Sequence, residues 1–333
     1  MHRIRFVLCY IGPLPRYFPT FLATCAENAD VDFLVASDQP PPPGLAPNVR
    51  WQHATLADLR ARLSEAVGFE VALDDGYKLC DYKPVLGQVF SEELEGYPFW
   101  GFCDPDLVWG HIRSFATEER LAAHDVLSFR GRDFISGPCT LFRNEPRLNH
   151  LYAESATFER VFRDPRVWSF TEKTGRDEVV SVEELVASGR LVSFTDVVRR
   201  EVGNGTLRWL DTDEIVERDP ANHRFLFEWR RGHLFQVSED GHRLNGGLGR
   251  EVLFYHYVRA KEDPWFYIPE RSHLPDAFRI TDRGAFVPRS SGWVARAEYE
   301  ATRLSTGAPR FARQLRRRVR SRLARLAASP RPA

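Results

Sequence analysis

The stretch FWGFCDPDLVW, residues 99–109, contains two aspartates one residue apart inside an apolar run. A strand of this composition is normally buried, and a buried carboxylate needs a cation or strong hydrogen-bond donors. On an extended chain, residues i and i+2 point to the same side, so Asp104 and Asp106 can present oxygens to one hard cation such as Mg²⁺ or Mn²⁺. The alternative is a solvated turn, since Asp-Pro-Asp is also good turn chemistry. The apolar residues on both sides favour the metal.

The rest of the composition is that of a soluble globular protein. The chain has 333 residues, 43% of them hydrophobic and 13% aromatic, which is enough to bury a substantial core. Five cysteines form no CxxC pair and no zinc spacing, and we interpret them as reduced core residues of a cytosolic protein. No stretch approaches the roughly 20 apolar residues needed to span a bilayer. Prolines soon follow the apolar run 4–11, which we therefore predict to be a buried strand rather than a signal peptide.

A net charge of zero conceals an acidic body and a basic tail. Residues 309–333 contain nine arginines and no acidic residue. Apolar residues recur in this tail at helical spacing, which predicts a basic amphipathic helix. Such a helix suits an anionic membrane surface; the alternatives are docking on the acidic body and a solvated tail. We expect no nucleic acid partner, because the body supplies no matching basic face.

Strands and helices alternate along the chain, which predicts an α/β fold. The predicted strands are 4–10, 31–36, 49–51, 124–129, 140–143, 225–229, 233–237 and 251–257, in addition to the aspartate-bearing strand. The predicted helices are 17–28, 56–67 and 83–95, and Thr55 or Asp58 lies near the start of the second. We predict one α/β domain over 1–270, an irregular proline-rich segment over 271–305 and the basic helix or tail over 306–333.

Parallel α/β sheets bind ligands at the carboxyl ends of their strands, where the loop after Tyr10 and the Asp104–Asp106 pair would both lie. We therefore expect a shared cleft. The sequence contains neither a GxGxxG at the first helix nor a GxxxxGK[ST]. These absences disfavour dinucleotide enzymes and P-loop NTPases.

An apolar strand ending in Asp-x-Asp on the far side of an α/β nucleotide-binding half resembles the metal site of GT-A fold glycosyltransferases. The block YKLCDYKP (77–84) and the segment WGFCDPD (100–106) are also similar to bacterial proteins associated with surface-polysaccharide synthesis. The resemblance runs from about residue 3 to about residue 261. It implies a GT-A-like mixed, mainly parallel sheet flanked by helices, with a Rossmann-like nucleotide-binding half.

A more distant resemblance is to retaining glycogenin-like and lipopolysaccharide galactosyltransferases, in which a His-Phe-x-Gly-x-x-Lys-Pro-Trp segment follows the catalytic core. Residues 256–265, HYVRAKEDPW, are similar, although Arg259 replaces the glycine and two acidic residues precede the proline. The resemblance implies that His256 completes the metal site with Asp104 and Asp106, and that Lys261 meets the donor diphosphate. Two carboxylates and an imidazole suit Mn²⁺, or Mg²⁺ if water completes the shell.

The same resemblance implies roles for two further pairs of residues. Ser136 and Gly137 stand where those enzymes carry a small polar residue and a glycine against the donor sugar; the alternative is a turn at a strand edge. Asp177 and Glu178 stand near their acidic pair, and a carboxylate there could orient an acceptor hydroxyl or take its proton. The alternative for this pair is a favourable helix-dipole contact.

The remaining candidates concern the nucleotide. Lys83 is a candidate for the phosphate or sugar, with a surface lysine at a helix start as the alternative. Tyr10 and Gly12 after the first strand, and Asp38 after the second, suit a wall for the base and ribose. Tyr10 could equally be a core residue and Asp38 an ordinary loop residue.

We therefore expect a metal-dependent glycosyltransferase that uses Mn²⁺ or Mg²⁺ and a nucleotide-sugar donor, which the resemblance suggests is UDP-linked. The expected acceptor is a surface glycan or glycolipid, and the expected location is the cytoplasm, peripheral on the inner face of the cell membrane. The alternatives are a haloacid-dehalogenase-type phosphatase, which also uses Asp-x-Asp after a strand, and a catalytically degenerate GT-A protein acting as a polysaccharide assembly factor.

Overall fold

A computed structural model of the chain describes residues 1–131, 134–172, 182–217, 225–239, 242–247, 249–258, 260–268, 274–287, 297, 300–305 and 307–316. Its strands are β1 (Ile4–Tyr10), β2 (Asp32–Ser37), β3 (Val49–His53), β4 (Phe99–Cys103), β5 (Leu107–Trp109), β6 (Val126–Ser128), β7 (Cys139–Arg143), β8 (Trp209–Asp211), β9 (Val216–Glu217), β10 (Phe225–Arg230), β11 (His233–Glu239), β12 (His242–Arg243), β13 (Arg250–Glu251), β14 (Phe254–His256), β15 (Ala277–Thr281) and β16 (Gly284–Phe286). Its α-helices are α1 (Phe18–Ala26), α2 (Leu56–Val67), α3 (Leu79–Tyr82), α4 (Leu86–Val89), α5 (Glu118–Ala123), α6 (Pro146–Asn149), α7 (Phe158–Arg163), α8 (Val182–Ala187) and α9 (Phe194–Gly203).

The main sheet has the strand order β3-β2-β1-β4-β7-β6-β8. Strand β1 pairs in parallel with β2 and β4, β2 pairs in parallel with β3, and β6 pairs in parallel with β8. Strand β7 is antiparallel to both of its neighbours. The prediction of a mixed, mainly parallel α/β sheet is confirmed.

Helices cover both faces of this sheet, as the apolar strands require. Alternate residues of β1 point to opposite faces: Phe6 packs in one cluster with residues of α1, and Val7 packs in the other with residues of α2. The central strands are thus buried on both sides, and function is restricted to their ends.

Helix α2 has the predicted bounds, because its ends carry strong signals. The Thr55 side chain accepts a hydrogen bond from the Asp58 amide, and the Asp58 carboxylate accepts one from the Thr55 amide, which forms a capping box. The helix ends at Gly68, whose φ of 79° is the left-handed conformation that glycine adopts without strain. Both predicted start residues therefore contribute to the same cap.

The continuous helix predicted over 83–95 is wrong. A 3-10 turn over Lys83–Val85 leads into the single-turn helix α4, and turns follow. A Cβ at Gly87 would lie 2.4 Å from the Trp100 ring, so the segment packs directly on the sheet. Tertiary packing of its buried apolar residues overrides helix propensity here.

Two further sheets lie after the main one. Strands β12, β11, β10, β15 and β16 form an antiparallel sheet, to which β13 adds by pairing with β11. Part of the segment predicted to be irregular, 271–305, is therefore strand, because β15 pairs with β10 and β16 with β15. The predicted strand 251–257 is divided between β13 and β14. The division of the chain into domains stays a prediction.

The small sheet β5-β14-β9 connects the two larger ones. Strand β5 begins directly after Asp106 and is not part of the main sheet. It pairs antiparallel with β14, which places His256 opposite Leu107. This pairing brings the predicted metal ligands together: Asp104, Asp106 and His256.

The predicted basic helix is described only in its first part. Residues 307–316 are helical, and residues 317–333 lie outside the described residues. Phe311 contacts Trp265 with 5.8 Å between ring centroids, while Leu315 is 51% exposed. Among the described helices, none is both long and apolar enough to cross a membrane.

A buried ion pair explains part of the block 77–84. Lys78 and Asp81 have side chains only 1% and 0% exposed and lie 2.8 Å apart. The Lys78 ammonium also donates to two backbone carbonyl oxygens of the segment 161–166, at 2.9 and 2.6 Å. The Asp81 carboxylate accepts from the amides of Trp168 and Phe170, both at 2.8 Å. The pair therefore anchors the segment 161–170 to the block 77–84.

We expect Asp81→Asn to lower the free energy of unfolding by about 3–5 kcal/mol, because it leaves the Lys78 ammonium buried without its counter-charge. Urea denaturation followed by circular dichroism measures the change. Asp74→Asn is the matched control, because that carboxylate is 66% exposed and 3.8 Å from Arg60. Its effect should stay below about 0.5 kcal/mol. Equal urea midpoints for the two variants would contradict the anchoring role.

Candidate metal-binding site

The Asp-Pro-Asp segment is a turn in the structure, and its carboxylates nevertheless converge. The Asp104 amide donates to the Pro138 carbonyl at 2.9 Å, and the Asp106 carbonyl accepts from the Tyr257 amide at 3.0 Å. Backbone hydrogen bonds thus hold the turn from both sides. A turn and a metal site are therefore not alternatives here, because the segment has turn geometry and a clustered ligand set together. The expectation of an extended chain across the two aspartates is wrong.

Three side chains could hold a metal ion. One ligand atom each from Asp104, Asp106 and His256 lies within 4.8 Å of the others. The His256 Nε2 atom is 3.1 Å from Asp106 Oδ2, and the Asp106 side chain is only 3% exposed. The pairing of β14 with β5 sets this distance, because it fixes His256 beside the residue that follows Asp106.

Each aspartate also has its own lysine. Lys83 Nζ donates to Asp104 Oδ1 at 2.5 Å and to the Gly137 carbonyl at 2.7 Å. Lys261 Nζ donates to Asp106 Oδ2 at 2.6 Å. Two carboxylates and two ammonium groups therefore form a compact set that is close to neutral.

The contacts of the aspartates with His256 and the two lysines determine the charge states of these side chains. Burial alone would raise the pKa of Asp106, but the neighbouring His256 and Lys261 outweigh it and hold that pKa well below its usual range. Burial opposes the charge on Lys83, yet Asp104 raises the lysine pKa above its ordinary value. Burial and Asp106 act on Lys261 in the same opposed way, and its pKa is also raised. Both lysines are cationic and Asp106 is anionic at neutral pH.

This donor set fits a hard divalent cation. Carboxylate oxygens are the ligands that Mg²⁺ and Mn²⁺ prefer, and an imidazole beside them makes a mixed site acceptable to Mn²⁺. Asp106 is buried and held by three contacts, so its orientation is fixed in advance. Each lysine already contacts one carboxylate oxygen of the cluster, Lys83 on Asp104 and Lys261 on Asp106. A cation would therefore bind in competition with the lysines.

The cluster lies at the wall of a cleft of about 620 Å³. Residues at the carboxyl ends of β1 and β4 line it, as expected for a ligand site in an α/β sheet. The predicted residues that line this cleft are Tyr10, Lys83, Asp104, Asp106, His256 and Lys261. Seen from the sequence, these residues are scattered, and the sheet topology brings them together.

Gly12 and Asp38 do not line the cleft. The Gly12 amide donates to Asp38 Oδ1 at 2.9 Å, with Gly12 at a φ of 101°. A hydrogen bond from the Gln39 side chain and, after it, the one from the Gly12 amide lower the pKa of Asp38. The pair therefore links the loop after β1 to the loop after β2, and a role as a nucleotide wall stays a prediction.

Ser136 and Gly137 lie behind the cluster rather than in the cleft lining. Gly137 accepts from Lys83 through its carbonyl, and its amide donates to Glu172 Oε1 at 3.0 Å. A Cβ at Gly137 would lie 2.0 Å from that oxygen, so a larger residue would displace Glu172. The hydroxyl of Ser136 is buried without a hydrogen-bond partner in the described part of the chain. Asp177 and Glu178 lie outside the described residues.

Sequence reasoning missed four residues near the cluster. Tyr77, Cys80 and Glu262 line the cleft, and Glu172 accepts a hydrogen bond from the Gly137 amide behind the cluster. Tyr77 is 71% exposed, which puts an aromatic ring at the rim. Burial raises the pKa of Cys80 to about 11, so this thiol is a neutral wall residue rather than the core residue we expected. The block 77–84 contains Tyr77 and Cys80, and the segment 256–265 contains Glu262, whereas Glu172 lies in neither of these segments.

The backbone next to His256 is strained. Val258 has a φ of 32°, which is rare for a β-branched residue, and it lines the cleft. Such conformations are concentrated at functional sites, where the surrounding structure imposes them. After β14, the Ala260 amide donates to the Tyr257 carbonyl at 2.6 Å, and the next residue, Lys261, contacts Asp106.

The fold is similar to several solved structures at low identity. Mouse xyloside xylosyltransferase 1, in its apo form, has a TM-score of 0.38 and 10% identity, with 65% of this chain and 87% of that chain covered. The galactosyltransferase LgtC in complex with donor and acceptor sugar analogues has a TM-score of 0.32 and 10% identity, with 50% and 70% covered. The glycosyltransferase GlyE of Streptococcus pneumoniae has a TM-score of 0.29 and 10% identity, with 67% and 46% covered.

No curated protein matches the chain. A family model, described as a family of unknown function (DUF6625), matches residues 6–285. This match includes Lys83, the aspartate turn and the segment from His256 to Lys261, so the whole cluster lies inside it. Because the model covers well over half of the 333 residues, the chain belongs to this family of unknown function, DUF6625.

Proposed function

We propose that the protein is a metal-dependent glycosyltransferase that moves a sugar from a nucleotide-sugar donor to a glycan or glycolipid acceptor. The observation that carries the proposal is the convergence of Asp104, Asp106 and His256 within 4.8 Å at the wall of a 620 Å³ cleft. The Asp-x-Asp turn and the histidine are the elements that the GT-A resemblance expects to meet. The phosphatase alternative has no specific observation in its favour among the described residues.

The chemistry asked of this site is the stabilisation of a leaving nucleoside diphosphate. A divalent ion, Mn²⁺ or Mg²⁺, held by the three ligands would supply charge stabilisation to the diphosphate oxygens. Lys83 and Lys261 would add two cationic hydrogen-bond donors at the same wall. Tyr10 and Tyr77 provide aromatic surface in the cleft for the base, for which a uridine nucleotide is the proposed donor.

In this proposal, the two lysines act differently in the free protein and in the protein with metal and nucleotide bound. In the described structure each ammonium neutralises one aspartate. A cation that replaces them at the carboxylates leaves both ammonium groups available to the incoming diphosphate. Metal and nucleotide binding should therefore be coupled, and each should strengthen the other.

The first experiment tests the donor site. We expect a nucleoside diphosphate or nucleotide sugar from a panel to bind the wild type in the presence of Mn²⁺ and to lose at least tenfold in affinity without it, measured by isothermal titration calorimetry. Asp104→Asn with Asp106→Asn removes two anionic metal ligands and should abolish the metal-dependent part of the binding.

Asp213→Asn is the matched control, because its carboxylate is 70% exposed and outside the cleft. It should bind as the wild type does. If no nucleotide binds the wild type with either Mn²⁺ or Mg²⁺, the transferase proposal is wrong, and the assembly-factor alternative takes its place.

A second experiment tests the coupling through Lys83. We expect Lys83→Met to raise the affinity for Mn²⁺ alone roughly tenfold, because it removes a cation that competes for Asp104. The same variant should bind the nucleoside diphosphate with Mn²⁺ more weakly than the wild type, because one phosphate donor is lost. Lys83→Arg keeps the charge and should leave the Mn²⁺ affinity near the wild-type value. A Mn²⁺ affinity that is the same in all three proteins would show that the lysine and the metal do not compete.

We further propose a location at an anionic membrane surface, with the acceptor presented there. Residues 317–333 contain six of the nine tail arginines. Each arginine near an anionic surface contributes about 1 kcal/mol of attraction. Asp177 and Glu178 stay proposed acceptor-side carboxylates, on the resemblance alone.

Truncation after Arg316 tests this location. We expect the full chain to sediment with vesicles of anionic phosphatidylglycerol and not with neutral phosphatidylcholine vesicles. The truncated chain should lose most of that binding while keeping its nucleotide affinity. Unchanged sedimentation of the truncated chain would assign the tail to the protein body or to solvent.

A further inference from the structure

A second cavity adjoins the cleft on the side of the C-terminal helix. Its volume is about 330 Å³, and Lys261 and Glu262 line both spaces. Three arginines contribute to its wall: Arg16 from the loop before α1, and Arg310 and Arg313 from the helical residues 307–316. We call this space the arginine cavity.

Specific contacts dock the helix that forms this wall. The Phe311 ring lies 5.8 Å from the Trp265 ring, and Gln314 Nε2 donates to the Glu262 carbonyl at 3.3 Å. Gly307 lies flat on Trp265, because a Cβ there would be 2.5 Å from the indole. Arg310 and Arg313, three residues apart, consequently face the same space.

The arginine cavity carries more positive charge than its own carboxylates balance. Within the described residues, neither Arg310 nor Arg313 forms an ion pair, and Arg310 Nη1 is buried without a hydrogen-bond partner. Asp263 already accepts the Trp265 amide at 2.8 Å. A buried guanidinium donor left unsatisfied is costly, and its planar fork matches phosphate oxygens.

Four of the proposed donor-site residues lie outside the arginine cavity. Asp104, Asp106, His256 and Lys83 line the main cleft, and none of them lines the arginine cavity. A donor diphosphate at the metal cluster would therefore leave Arg310 and Arg313 available to another anion. The shared residues Lys261 and Glu262 make that anion a neighbour of the reacting groups.

We propose that the arginine cavity binds a phosphate group carried by the acceptor, so that the sugar is transferred to a phosphorylated glycan or lipid. The inference that the phosphate belongs to an acceptor rests on the proposed function. The phosphate site itself is inferred from the cavity and its arginines. Arg310 and Arg313 would bind the phosphate in a charge-assisted, bidentate manner, next to the donor cleft.

The test measures binding of two probes by isothermal titration calorimetry, without metal: inorganic phosphate, and dihexanoylphosphatidic acid below its micelle concentration. We expect both to bind the full-length wild type. Arg310→Ala with Arg313→Ala should weaken binding at least tenfold, and Arg310→Lys with Arg313→Lys should retain part of it. Arg316→Ala is the matched control, because Arg316 lies on the same helix, is exposed and does not line the cavity.

The two probes separate the sources of the phosphate. A lipid affinity at least tenfold above that of inorganic phosphate supports a lipid-linked acceptor, and equal affinities support a soluble phosphorylated one. Equal binding by the wild type and the double alanine variant would overturn the proposal, as would the absence of saturable binding by the wild type.

Nucleoside diphosphate binding with Mn²⁺, measured on the same variants, separates this inference from the proposed function. If the double alanine variant loses nucleotide binding as well, the arginines belong to the donor site and the inference is wrong. If no variant binds nucleotide but phosphate binding still depends on the arginines, the phosphate site stands and the transferase proposal fails.

Discussion

Compensation of the buried Asp106 carboxylate is the constraint on which the rest of the site depends. The side chain is 3% exposed, so it can stay ionised only if cationic or hydrogen-bonding groups surround it. His256 and Lys261 provide that compensation, and Lys261 comes from 155 residues further along the chain. The pairing of β14 with β5 brings His256 to Asp106, and Val258, with its positive φ, lies between His256 and Lys261. Without the segment that carries His256 and Lys261, the Asp106 carboxylate would be buried without these two partners.

The cluster is assembled where the chain changes sheets. Strand β4 belongs to the main sheet and β5 to the small one, and the Asp-Pro-Asp turn lies between them. Hydrogen bonds to Pro138, which precedes β7, and from Tyr257, which follows β14, hold the turn next to strands of two different sheets. Residues anchored in this way keep their positions without a ligand, which is the preorganisation that a metal site requires. The buried Lys78–Asp81 pair extends the same principle to the segment that leads to Glu172.

Charge is distributed so that the cleft is close to neutral and its neighbour is basic. Two lysines balance two aspartates at the metal cluster, whereas the arginine cavity beside it has guanidinium groups in excess of carboxylates. In a neutral cluster, a cation can replace the lysines at the aspartates, and the lysines can then contact a diphosphate. A basic cavity suits an anion that arrives without a metal. The overall net charge of zero reports neither of these environments.

The sequence by itself determined the local features of this protein. Apolar runs predicted β1, and the Thr55–Asp58 cap predicted α2, because both signals lie within a few residues. The apolar residues around Asp104 and Asp106 marked the two aspartates, a motif resemblance marked His256 and Lys261, and all four side chains meet in the structure. Tertiary structure alone decided that the aspartates lie on a turn, that 83–95 is not one helix, and that Glu172 and the arginine cavity adjoin the site. The physical reason is that these features depend on contacts between residues far apart in the chain, where burial and charge compensation outweigh local propensity.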